Sequence, residues 1–134
     1  MTKKEQIFAI LERIGYKPKY DDDNDIYIIY QMKHIYFLAS DEDEDPFVSI
    51  LYPQFAEFEE GQETLFLAAC NKLTRETKLA KVFVDHTFSH ITASCEFFYA
   101  NDEALECCIK KGLRILGVTR TAFNKTLKGL DDSE

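Results

Sequence analysis

Ile26-Tyr27-Ile28-Ile29-Tyr30-Gln31-Met32 and Ile35-Tyr36-Phe37-Leu38-Ala39-Ser40 are two β-branched and aromatic runs separated only by Lys33-His34. Such residues suit a pleated, half-buried surface. A two-residue connection is too short for a parallel crossover, so the pair is predicted to be an antiparallel hairpin turning at Lys33-His34. A third run, Phe47-Val48-Ser49-Ile50-Leu51-Tyr52, is closed by Pro53 and extends the hairpin to a meander. Tyr16 to Asp21 is a candidate for one further short strand.

Alternation along the first run sets Ile26, Ile28 and Tyr30 on one face and Tyr27 and Ile29 on the other. Both sets are apolar, whereas a sheet with one wet face alternates apolar with polar. The second face is therefore expected to be covered, by a helix or by another subunit. Tyr27, Ile29, Tyr36, Leu38, Val48 and Ile50 form the candidate protein-interaction face on this reading. A monomer whose helices cover both faces is the alternative.

Outward from the meander the signals are helical. Thr2 and Glu5 make a capping-box pattern, followed by Ile7, Leu11 and Ile14 on one face, with Gly15 and Pro18 as stop signals. A second helix is read from about Glu60 to Thr77, with Leu65, Phe66, Ala69, Cys70 and Leu73 as its buried stripe. Strands Ala80 to Asp85 and Ile91 to Tyr99 follow, joined by His86-Thr87-Phe88-Ser89-His90. A third helix opens at Asn101 or Asp102, both good N-cap types, and carries Leu105, Cys108, Ile109, Leu113 (or Gly112) and Leu116 inward. Gly117 is read as a point where it loosens or bends, and Gly129 with the acidic tail as its end. The order is α-β-β-β-α-β-β-α, an α+β fold. No linker or repeat divides it, so residues 1–134 are read as a single domain.

The chain carries 24 acidic and 16 basic side chains, a formal charge of −8, which argues against nucleic acid as a partner. Its apolar runs are strand-sized, so no membrane span is expected. No leader is read at Met1 to Gln6, and a cytoplasmic location is expected. Cys70, Cys95, Cys107 and Cys108 are then expected as reduced thiols.

Motifs for chemistry are sparse. Asp21 to Asp25 and Asp41 to Asp45 each open like a calcium loop, but the required Gly is Ile26 in one and Pro46 in the other, and the terminal Glu is Met32 or Tyr52. Both are read as solvated turns. His86 and His90 flank a hairpin tip without the helical pattern of a zinc peptidase. Neither a nucleophile elbow nor a glycine-rich phosphate loop is present. No catalytic, cofactor or metal residues are assigned, and the chain is read as no enzyme.

The segment Cys70-Asn71-Lys72-Leu73-Thr74-Arg75-Glu76-Thr77-Lys78-Leu79-Ala80-Lys81-Val82-Phe83-Val84-Asp85 resembles the helix-to-strand segment of the YbjN-like family. Asn71, Arg75, Lys81 and Val82 carry the likeness, with Glu96, the Asp45-Pro46 step and Tyr52-Pro53 agreeing; Thr74 stands where a second Asn is expected. The resemblance implies a type III secretion chaperone-like fold, with a five-stranded antiparallel sheet flanked by helices. It also implies a bacterial, regulatory or chaperone-like protein-binding role, and a homodimer. The contrasting reading is a small-ligand-binding protein or enzyme with a pocket between sheet and helices.

Overall fold

The computed structural model describes residues 1–42 and 44–132. They form three helices and six strands: α1 (Lys3–Arg13), β1 (Lys19–Tyr20), β2 (Ile26–Tyr30), β3 (Lys33–Leu38), β4 (Phe47–Glu57), α2 (Glu63–Glu76), β5 (Ala80–Val84), β6 (His90–Phe98) and α3 (Asp102–Asp132). The strands make one antiparallel sheet in the order β1-β2-β3-β4-β6-β5. It has six strands rather than five, the addition being the two-residue β1 inside the segment Tyr16 to Asp21.

The first helix follows its local signals. Thr2 and Glu5 complete a reciprocal capping box, with the Glu5 N–H donating to Thr2 Oγ1 at 3.1 Å and the Thr2 N–H to Glu5 Oε1 at 3.2 Å. At the other end Gly15 takes φ 101°, and the Tyr16 N–H closes on the Leu11 carbonyl at 2.9 Å, a Schellman-type stop.

Three boundaries differ from the sequence reading. The β2–β3 turn is Gln31-Met32, not Lys33-His34: both residues adopt left-handed φ (50° and 67°), as a two-residue I′-type turn requires. That frees Lys33 and His34 to pair with Tyr30 and Ile29. Strand β4 does not close at Pro53 but runs on to Glu57 through a bulge, where Pro53, Gln54 and Phe55 oppose the single residue Thr92. The missing N–H of Pro53 is tolerated because pairing is already interrupted there. The Gln54 N–H is satisfied instead by Thr92 Oγ1 at 3.1 Å. Finally, α3 continues through Gly117 and Gly129 to Asp132. Packing holds it across Gly117, since Leu116, Thr119 and Phe123 are buried on the same stripe, and the partly buried Leu127 and Leu130 flank Gly129.

All three helices bury their stripes in one core with a single face of the sheet. Ile7, Ile10 and Leu11 of α1, Phe66 and Leu73 of α2, and Leu105, Ile109, Leu113 and Phe123 of α3 join Ile26, Ile28, Ile35, Phe37, Val48, Ile50 and Val82. Close approach of α3 depends on Gly112, where a Cβ would stand 2.7 Å from Ile50 Cδ1. Among the described residues no helix lies on the other sheet face.

Candidate functional site

Strand pairing arranges the uncovered face in rows. Tyr27, Tyr36, Leu51, Ser94 and Lys81 lie side by side across five strands, and Leu38, Ser49 and Glu96 make the next row. Ile29 sits beside His34, Phe83 beside Thr92, and Phe47 beside Phe98. On this face Ile29 is 61% exposed and Phe98 71%, with Phe83 at 37%. Tyr27 stacks at a tilt between His34 (5.6 Å) and Tyr36 (5.5 Å). Charged residues stand toward the margins of this face: Lys81 and Glu96 pair with each other, Lys19 lies beside Tyr27 at the β1 edge, and Glu57 and His90 face each other where β4 and β6 end. Burial raises the Tyr36 hydroxyl's pKa, with Asp21, Tyr27 and Asp25 adding to the effect, so the phenol stays protonated.

Of the six residues expected on the interaction face, Tyr27, Ile29, Tyr36 and Leu38 are there. Val48 and Ile50 are not. Both are fully buried against the helices, and Ser49 and Leu51 occupy the positions opposite Leu38 and Tyr36. Alternation within a strand was read correctly; the phase between β3 and β4 depends on how the intervening loop spends its residues.

A second feature lies at the far end of β4 and was missed in the sequence. Six rings stand in unbroken contact from the surface into the core. Phe88 meets Phe58 at 5.2 Å, Phe58 meets Phe66 at 5.5 Å, and Phe66 meets Phe123 at 5.9 Å. Phe123 then meets Phe55 at 5.5 Å and Phe55 meets Tyr52 at 5.2 Å. Two concavities share its Phe58 wall, one of about 510 Å³ toward the β5–β6 hairpin and one of about 480 Å³ toward α3. An aromatic in the otherwise polar tip His86-Thr87-Phe88-Ser89-His90 was the available sequence signal.

The tip is built around Asp85. Its Oδ1 accepts from the Ser89 N–H (3.0 Å), the His90 N–H (3.2 Å) and the Thr87 hydroxyl (2.9 Å). Desolvation would raise its pKa, but these bonds and nearby His90 outweigh it and hold the carboxyl at about 2. His90 stands between two acids, Nδ1 3.4 Å from Asp85 Oδ2 and Nε2 3.8 Å from Glu57 Oε1. Neither approach is a hydrogen bond: among the described residues His90 Nδ1 and Asp85 Oδ2 are buried with no hydrogen-bond partner.

The other candidate chemistry stays apart. Cys70 and Cys95 are buried, and burial lifts both thiols to about 11; Cys107 is exposed and Cys108 half-buried with its pKa raised, chiefly by burial. At Cys70, Cys95 and Cys108 these environments disfavour thiolate. Among the described residues no three His, Cys, Asp or Glu side chains are grouped to hold a metal ion. Asp21 Oδ1 accepts from the Asp23 and Asp25 N–H groups, both at 2.9 Å, an Asx turn. The run Asp41 to Asp45 includes Asp43, which lies outside the described residues. No described helix is long and apolar enough to cross a membrane. Against protein-family models, curated proteins and solved structures alike, the chain finds no match.

Proposed function

We propose that this chain is a non-enzymatic protein-binding module, regulatory or chaperone-like, that docks another protein on its uncovered sheet face, in the first instance a second copy of itself. The observation that carries this is the placement of all three helices on one side of the sheet, leaving Tyr27, Ile29, Tyr36, Leu38 and Phe98 on the other. Tyrosine and large apolar side chains gathered on one face, with charged side chains toward its margins, have the composition of an interface centre.

The face's β2–β3 half presents Tyr27, Ile29, Tyr36 and Leu38, and its β5–β6 half presents Phe83 and Phe98 beside the small Thr92 and Ser94. A two-fold axis running along β4 would lay the β2–β3 half of each copy over the β5–β6 half of the other, with sheets about 10 Å apart. Two chains of charge −8 repel at long range, and the apolar contacts of the face have to outweigh that repulsion. The resemblance to the YbjN-like family supports a cytoplasmic, bacterial setting and the same dimeric habit.

Light scattering coupled to size exclusion tests the reading. The expected mass at micromolar concentration is twice 15.6 kDa, falling to one chain for Ile29→Asp with circular dichroism unchanged. A parent protein that runs as a monomer and retains no partner on this face would overturn it.

A further inference from the structure

The groove along Phe58 is independent of the sheet face and has its own chemistry. Its wall is the stacked Phe58–Phe88 pair, and Phe88 is 57% exposed. Phe88 adopts φ 59° in the hairpin turn, and its N–H donates to the Asp85 carbonyl at 3.0 Å. Opposite stand Glu57, Glu59, Glu60 and Glu63. Among the described residues no lysine or arginine forms an ion pair with any of the four, and His90 alone approaches Glu57.

We infer that this groove binds a basic segment of a partner protein, an arginine or lysine side chain lying over the Phe88 and Phe58 rings with its charge among the glutamates. The aromatic face attracts a cation through its quadrupole and covers the aliphatic stem. The carboxylates supply the sign, and the concavity of about 510 Å³ is large enough for one or two side chains. An acidic or purely apolar segment would leave the glutamates uncompensated.

Fluorescence anisotropy on the full chain tests this with a labelled hexapeptide of alternating leucine and arginine, and with its counterpart bearing glutamate for arginine. The arginine peptide is expected to bind saturably and to weaken as salt rises past the range where the screening length is about 10 Å; the glutamate peptide is expected not to bind. Phe88→Ala should weaken binding about three- to thirty-fold. Glu59→Gln combined with Glu60→Gln should weaken it and flatten the salt dependence, which decides the matter even if the Phe88 variant is poorly folded. Ile29→Asp should bind as the parent does, separating this groove from the sheet face. Absence of saturable binding by the arginine peptide, equal binding of both peptides, or full binding by both groove variants would overturn the proposal.

Discussion

At the scale of single residues, Asp85 and Gly112 show how much depends on one side chain or its absence. Asp85 is held at about 2 by the N–H groups and hydroxyl that point at it. A carboxyl whose folded pKa is depressed stabilises the fold above its unfolded pKa of about 3.9, and that contribution is lost as pH falls through the folded value. Melting temperature should therefore fall between about pH 4 and pH 2 in the parent, and more gently in Asp85→Asn, which keeps an acceptor without the charge. Parallel slopes in the two proteins would show that the tip does not govern acid stability. At Gly112 an added methyl meets Ile50 Cδ1 at 2.7 Å in a fully buried site. Overpacking of about 1–3 kcal/mol should exceed the gain of up to about 1 kcal/mol in helix propensity. Gly112→Ala is thus expected to lose stability in urea denaturation. Combined with Ile50→Val, which deletes the clashing atom, it should cost clearly less than the sum of the two single changes.

At the scale of elements, the exposed edge of β5 is the one that needs managing. Val82 turns its backbone groups away from β6, and α2 meets them with a single hydroxyl: Thr74 Oγ1 accepts from the Val82 N–H at 2.9 Å and donates to its carbonyl at 3.2 Å. Thr74 is the position where the family resemblance implies Asn, and the hydroxyl performs both halves of the contact. An unblocked edge invites pairing with another chain. Thr74→Val should cost about 1–3 kcal/mol, the penalty for stranding partly buried backbone groups, and should promote aggregation on heating; Thr74→Ser should restore both. Equal stability of the valine and serine variants in chemical denaturation would show that the hydroxyl is dispensable.

At the scale of the whole molecule, a sheet clothed on one side explains both the stability and the proposed association. Substitution of a charge at Ile29, 61% exposed, should leave the fold intact, whereas Ile50→Asp places the charge in a fully buried site and should unfold the domain. Thermal unfolding of the two variants side by side separates surface from core: similar melting temperatures would contradict the face assignment. The same contrast distinguishes loss of association from loss of structure in the scattering experiment.

Local chemistry made the first helix, the antiparallel meander and the α+β class legible in the sequence. The Thr2 and Glu5 cap, the helical spacing of Ile7 and Leu11, and connections too short for crossovers each act within a few residues. Tertiary structure alone decided the rest. Period-two alternation divides each strand into two faces but says nothing of which face of β4 continues which face of β3; that phase is set by pairing Leu38 with Ser49 across the loop, and it moved Val48 and Ile50 into the core. The aromatic chain was hidden for a related reason. Its rings come from β4 and its flank, α2, the β5–β6 tip and α3, and only the bulge after Tyr52 and the unbroken course of α3 past Gly117 bring Phe55, Phe58, Phe66, Phe88 and Phe123 together. Contacts between residues far apart in sequence are chosen by packing the whole chain at once, and no local pattern records them.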